Sequence, residues 1–203
     1  ARLMVIFLHG YGADGNDLIS IGEEWRDALP DAVFLSPHAP ERCEMSPFGY
    51  QWFSIRAIDK RTFEREKQAE RAAGPLNAYI DAKLAEWGVD ESALVVAGFS
   101  QGAMMAMYTM PRRAGACAGV IGYSGMLVNA EGLKDEEIVK PPVLIIHGDA
   151  DDVVPPFYLK DAEEGLTAAG FRVEAHLRPG LGHGIDAFGL RHGLEFARQA
   201  LCL

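Results

Sequence analysis

Gly98-Phe99-Ser100-Gln101-Gly102 constrains this chain more than any other stretch. Before it runs Ala93-Leu94-Val95-Val96-Ala97, short, apolar and β-branched; after it comes Ala103-Met104-Met105-Ala106-Met107-Tyr108, which reads as helix. A buried strand, a Gly-x-Ser-x-Gly turn and a helix make the pattern of a nucleophile elbow. The turn is so tight that a side chain at either glycine would collide with neighbouring backbone, and the serine is held strained with its hydroxyl exposed. The following helix points its free N–H groups and positive dipole end at any charge that forms near Ser100. With 22 glycines in 203 residues the pentapeptide alone is open to chance. The alternative is a glycine-rich turn in a core, and a base and an acid elsewhere must decide.

Around this turn the chain alternates short apolar runs with helical periods. Strands are predicted over 2–8, 32–35, 93–97, 119–124, 143–147 and 172–177, the last an edge strand because its apolar residues alternate. Helices are predicted over 18–29, with Asn16 or Asp17 as cap, and over 62–87, 156–169 and 186–201, with a shorter one near 133–138. Gly74-Pro75 allows the 62–87 segment to be two helices or one kinked one. Asp59-Lys60-Arg61 and Glu64-Arg65-Glu66-Lys67 mix signs and read as a solvated face. The reading is an α/β fold with a mostly parallel twisted central sheet and helices on both faces, in a single domain over 1–203 with no large lid. Residues 36–56 stand apart: closely spaced prolines and aromatics without period make a long irregular loop, either a packed flap or a binding surface.

In open α/β sheets function gathers at the carboxyl ends of the strands. The loops expected there carry His9-Gly10-Tyr11-Gly12, Ser100-Gln101, His147-Gly148-Asp149-Ala150-Asp151-Asp152 and Gly182-His183-Gly184. Their chain order is Ser, Asp, His, the order of α/β-hydrolases. A serine hydroxyl needs a base within hydrogen-bond reach, and His183, on a glycine-flanked loop, is the candidate base. His176 and His192 fall mid-strand and mid-helix; His9 and His147 precede glycine at strand ends and read as structural hydrogen bonders; His38 is flanked by proline. The acid is Asp149, Asp151 or Asp152, of which Asp149 is also placed to tie down its loop through backbone N–H groups.

Phe7-Leu8-His9-Gly10-Tyr11-Gly12, the elbow, His147-Gly148-Asp149-Ala150-Asp151 with Val154-Pro155, Gly182-His183, Gln51-Trp52-Phe53 and Tyr123-Ser124-Gly125 together resemble the phospholipase/carboxylesterase family of small α/β-hydrolases. The likeness spans most of the chain in order. It implies a serine carboxylesterase that hydrolyses short- to medium-chain acyl esters through an acyl-enzyme, or a thioesterase or lysophospholipase with the same machinery. It places the acid at Asp151, where Asp152 follows instead of the family's common proline, and an oxyanion hole at the backbone N–H groups of Tyr11 and Gln101. Tyr11 stands where the family more often has leucine. The likeness also implies that the 45–53 loop, Met126-Leu127 and Val153-Val154 face the serine. Met45, Phe48, Trp52 and Val154 are therefore expected to line an acyl groove, with Trp52 and Phe53 alternatively anchoring the loop. A binding module on the same fold is the non-enzymatic reading; such a chain usually breaks a triad position, and here all three are present.

Composition bounds the partners. A net charge of −10 without a basic cluster argues against nucleic acid and against sustained binding to anionic membranes. No run is apolar enough to span a bilayer, and residues 1–8 read as a strand and not as a signal peptide. Because the chain opens on that strand without preamble, residues preceding it are expected. Cys43, Cys117 and Cys202 have no zinc or redox spacing, which points to a reducing cytoplasm, and no two histidines stand at metal-ligand spacing. No cofactor or metal is expected; a small acyl ester is the expected partner, and a homodimer stays open.

Overall fold

The structure, a computed structural model, describes residues 2–57 and 62–203. In chain order the strands are β1 (Leu3–Leu8), β2 (Ala32–Leu35), β3 (Glu41–Arg42), β4 (Tyr50–Gln51), β5 (Leu94–Phe99), β6 (Gly119–Tyr123), β7 (Val143–Gly148) and β8 (Val173–Arg178). The α-helices are α1 (Ile19–Trp25), α2 (Thr62–Trp87), α3 (Gln101–Thr109), α4 (Phe157–Ala168) and α5 (Ala187–Ala200). Six strands form one sheet in the order β2-β1-β5-β6-β7-β8, every pairing parallel, while β3 and β4 make a separate two-residue antiparallel ladder.

The continuous apolar runs follow from burial on both faces of this sheet. Met4, Ile6 and Leu8 pack with Leu94 and Val96 into a core shared with α2, α3 and α4. Val5 and Phe7 point the other way, with Val95 and Ala97, onto Ile21 and Trp25 of α1 and Phe196 and Ala197 of α5. The methionines of α3 fill the first core, Met105 being fully buried, as is Met110 just beyond the helix. α2 runs unbroken through Pro75 and buries Ala69, Ala72, Leu76 and Ile80. Of the mixed-charge run beside it, Asp59, Lys60, Arg61 and the Glu64 side chain lie outside the described residues.

Two elements depart from the sequence-based expectation. α1 begins at Ile19 with Leu18 as an N-cap that gives no side-chain hydrogen bond. Asn16 and Asp17 are held one turn earlier, their N–H groups donating to Asp14 Oδ1 (2.7 Å) and to the Asp14 carbonyl (3.2 Å), so neither side chain caps the helix. Residues 26–28 continue as turns. The helix expected near 133–138 is a single 3-10 turn, Gly132–Lys134. The chain beyond it is pulled straight, with Val139 N–H donating to the Pro111 carbonyl (2.9 Å) ahead of Pro141-Pro142.

Topology sets where the site forms. From β1 the chain moves outward to β2, then crosses to β5 on the other side of β1 and proceeds toward β8. The direction reverses between β1 and β5, and crevices at such reversals collect ligands at the strands' carboxyl ends. With Leu8 opposite Gly98, the loops carrying Tyr11 and Ser100 leave the sheet side by side.

Candidate active site

Ser100 has φ +53°, in the left-handed region, at a cost of about 1–3 kcal/mol. The surrounding contacts impose it. A Cβ on Gly98 would overlap the Gly102 carbonyl, and one on Gly102 would overlap the Leu8 carbonyl, so β5 turns into α3 in the space of a bare backbone. Ser100 N–H donates to the Tyr123 carbonyl (2.8 Å) and its own carbonyl accepts from Met104 N–H (3.1 Å), which locks both sides of the turn.

His183 reaches this serine from the loop between β8 and α5. Its Nε2 lies 3.0 Å from Ser100 Oγ and its Nδ1 lies 2.7 Å from Asp151 Oδ2. Because a carboxylate only accepts, Nδ1 carries the hydrogen and Nε2 offers its lone pair to the hydroxyl. The Phe99 ring packs against the imidazole at 4.8 Å, and the Ser124 hydroxyl donates to the Gly184 carbonyl (3.2 Å), steadying the loop. Asp186 Oδ1 caps α5 by accepting from Gly189 N–H (2.8 Å), and Asp186 Oδ2 accepts from Arg178 Nε (3.0 Å), which joins the loop's two ends.

The three candidate acids separate by what each one bonds. Asp151 is buried; its Oδ1 accepts from Val153 N–H (2.9 Å) and Val154 N–H (2.8 Å). Burial pushes its pKa up, but the hydrogen bonds from His183, Val154 and Val153 outweigh that and hold the carboxyl below its ordinary range. Asp149 Oδ1 accepts from Gly180 N–H (2.7 Å) and ties the histidine loop to β7, while Asp152 is exposed. The other histidines are held elsewhere. His9 donates from Nδ1 to the Gly10 carbonyl (2.7 Å) and accepts at Nε2 from Ala39 N–H (2.9 Å), and burial lowers its pKa. His38 Nδ1 accepts from Gly15 N–H (3.0 Å) and its ring stacks on Tyr50. His176 and His192 pack beside Phe188.

Gln101 opens α3, so its N–H is among those that a helix leaves without an intrahelical acceptor. The N–H groups of Gln101 and Tyr11 have no acceptor among the described hydrogen bonds. The Gln101 side chain does a task that the sequence reading missed: Oε1 accepts from Trp52 N–H (2.8 Å) and Nε2 donates to the Phe53 carbonyl (2.7 Å). It staples the irregular segment to the elbow helix. Only the buried pairing reveals this, since a glutamine after a serine reads as helix N-terminus and nothing more.

A cavity of about 340 Å³ opens beside Ser100, lined by Tyr11, Ile55, Met104, Met126, Val154 and Tyr158, with Arg65, Gln101, Val153 and Pro155 completing the wall. That is the low end of the range for small-molecule pockets. Of the four side chains expected to line a groove, Val154 is here and three are not. Met45 and Phe48 are 65% and 86% exposed, on a short turn that stands away from the cavity. Trp52 is buried, its Nε1 donating to the His9 carbonyl (2.9 Å), so it anchors the loop, as Phe53 does within the core. Leu127, expected beside Met126, is also absent from the wall. Arg65, read from sequence as part of a solvated face, belongs to the cavity wall instead. Ile55 and Tyr158 carry no sequence signal, because only the path of the 36–56 segment and the rotation of α4 bring them in.

The Tyr11 hydroxyl donates to Glu44 Oε1 (3.3 Å), which also accepts from Ser54 Oγ (3.0 Å) and Ile55 N–H (3.1 Å). Burial raises Glu44's pKa, and the Ser54 hydroxyl and the Arg56 and Ile55 N–H groups reverse it, keeping the carboxyl below its usual value. Burial raises the Tyr11 phenol, reinforced by Cys43 and Glu44, so the ring stays neutral in the wall. One carboxylate thus joins two walls of the cavity.

A profile of the phospholipase/carboxylesterase family matches residues 1–201. The chain belongs to that family. It is a hydrolase acting on ester bonds, with the α/β-hydrolase fold. Among solved structures, esterase PE8 superposes with a TM-score of 0.94 at 42% identity, over 99% of this chain and 94% of that one. An acyl-protein thioesterase 1 of Neurospora crassa is 33% identical over 196 residues, covering 88% of this chain and 79% of its own length. Esterase YpfH of Escherichia coli is 28% identical, covering 99% of this chain and 84% of its own. No helix among the described residues is long and apolar enough to cross a membrane.

Proposed function

We propose that this family member is a serine carboxylesterase, one domain over 1–203, that cleaves short- to medium-chain acyl esters through an acyl-enzyme. The observation that carries the reading is the continuous hydrogen-bond line from Ser100 Oγ through His183 to Asp151, ending at the mouth of an apolar cavity. The ester carbonyl oxygen rests on the N–H groups of Tyr11 and Gln101. Ser100 Oγ attacks the carbonyl carbon while His183 Nε2 takes its proton. The tetrahedral anion is stabilised by the two fixed N–H groups, each worth about 3–4 kcal/mol in such a site. Collapse breaks the ester C–O bond, and His183 returns the proton to the departing alkoxide. Water, deprotonated by the same nitrogen, then attacks the acyl carbon; the Ser100 Oγ–acyl bond breaks, His183 returns the proton to Oγ, and the acid leaves. Asp151 keeps the imidazole in the correct tautomer and stabilises its positive charge.

The cavity's modest volume and mainly apolar wall favour small acyl groups. The free thiols of Cys43, Cys117 and Cys202 accord with a reducing, cytoplasmic setting. A thioester is the second reading, favoured by the likeness to a protein named acyl-protein thioesterase. Ser100→Ala tests the first claim: it retains the parent's cooperative melt and loses p-nitrophenyl ester hydrolysis by roughly 10⁴-fold or more. Activity within tenfold of the parent would sink it. Parallel turnover of matched oxoesters and thioesters across chain lengths decides between the two substrate classes.

A further inference from the structure

Among the described residues, His147 is a buried titratable side chain close to the proposed acid that the reaction above does not use. It lies at the end of β7 with 1% of its side chain exposed. Its Nε2 is 2.8 Å from the Val154 carbonyl and 3.3 Å from Asp151 Oδ2. Both neighbours are acceptors, so the facing nitrogen must carry a hydrogen, which it donates to the Val154 carbonyl with the Asp151 carboxylate close by.

We infer that His147 is a positioning residue for the ester hydrolysis, fixing the 151–154 turn through the Val154 carbonyl and thereby keeping Asp151 in register with His183 and Val154 in the cavity wall. The inference rests on the roles proposed for Ser100, His183 and Asp151. Oδ1 of Asp151 is occupied by two backbone N–H groups, while Oδ2 receives His183 and has His147 Nε2 3.3 Å away. The Val153 and Val154 bonds at Oδ1 and the His183 bond at Oδ2 fix the carboxyl about its Cβ–Cγ bond, so its aim depends on where the 151–154 turn is held. The His147 hydrogen reaches Val154, whose side chain lines the cavity and whose N–H holds Oδ1. One imidazole therefore links acid orientation to wall position, and its removal would cost geometry at the base without touching the substrate.

The test is the parent chain beside His147→Leu, His147→Gln and His147→Asn, with melting curves, steady-state hydrolysis of a short p-nitrophenyl ester, and the rate of reaction with a fluorophosphonate. A glutamine amide reaches the place of Nε2, and an asparagine amide that of Nδ1. His147→Leu is expected to lower kcat by roughly tenfold or more with KM within about twofold, and to slow fluorophosphonate reaction in proportion. His147→Gln restores most of that loss and His147→Asn does not. Should the leucine variant fail to fold, the Gln–Asn pair decides alone. Equal kcat in those two variants, or a leucine variant as fast as the parent, overturns the role of His147 and leaves Ser100 untouched. A parent chain inert to the fluorophosphonate overturns the Ser100 reading itself, and this inference with it.

Discussion

Asp151 accepts from both its neighbouring backbone N–H groups and from His183, so an amide in its place has a forced orientation. In Asp151→Asn the carbonyl oxygen must face Val153 and Val154, which leaves the amide hydrogens facing His183 Nδ1. That nitrogen must then accept, Nε2 takes the hydrogen, and the imidazole can no longer receive a proton from Ser100. The substitution is expected to lower kcat about 10³–10⁴-fold with little change in KM. Asp152→Asn, at an exposed position, leaves kcat within about twofold. Steady-state kinetics of the two variants checks both. From sequence the three aspartates were equivalent at the level of residue type, and family likeness pointed to Asp151. What separates them physically is which N–H groups they meet: Asp149 is spent on Gly180 in the neighbouring loop, a contact across 31 residues that no local pattern encodes.

At the scale of elements, the loop between β8 and α5 carries His183 and several glycines, and needs ties at its ends. Asp186 supplies two, as N-cap of α5 and as partner of Arg178. Asp186→Ala is expected to cost about 1 kcal/mol, mostly from the lost cap, since a partly exposed ion pair adds little. Urea unfolding gives that figure, and kcat is expected to fall further than the stability change alone would explain, because the base is then loosely held. Strands and long helices were readable because their apolar residues repeat with the period of the element, and α2 keeps that period straight through Pro75. The 133–138 segment misled for the opposite reason. Leu133 and Ile138 suit a helix locally, but a backbone bond from Val139 to Pro111 takes the chain another way. The 36–56 segment has no period, and it proves to be packed through Trp52 and Phe53, with only Ile55 reaching the cavity. Met45 and Phe48 were expected there because the family likeness turned the 45–53 loop toward the serine, yet they face solvent.

For the molecule as a whole, folding sets a pH dependence whose sign follows from its buried groups. His9 binds a proton more weakly folded than unfolded, because burial penalises its charge. Its contribution to stability is therefore complete above the unfolded value near 6.5 and drains as pH falls below it. Asp151, Glu44 and Asp186 have folded pKa values below their ordinary ones, so their contribution is complete above about pH 4 and is lost in more acidic solution. The urea midpoint is expected to drop between pH 7.5 and 5.5, with a smaller drop in His9→Gln; equal slopes in the two proteins would refute the assignment. The alternation of strands and helices was enough to place Ser100, the acid loop and the His183 loop on one sheet edge, since parallel strands must all end there. Which strands are neighbours was not readable, and the reversal between β1 and β5 is what brings Tyr11 to Ser100. The proposed chemistry requires Ser100 to be the nucleophile. Reaction with a fluorophosphonate followed by peptide mass mapping measures this most directly. A single phosphonyl adduct on Ser100, abolished in Ser100→Ala and slow in Asp151→Asn, is the predicted result; no adduct, or one that persists in Ser100→Ala, would contradict it.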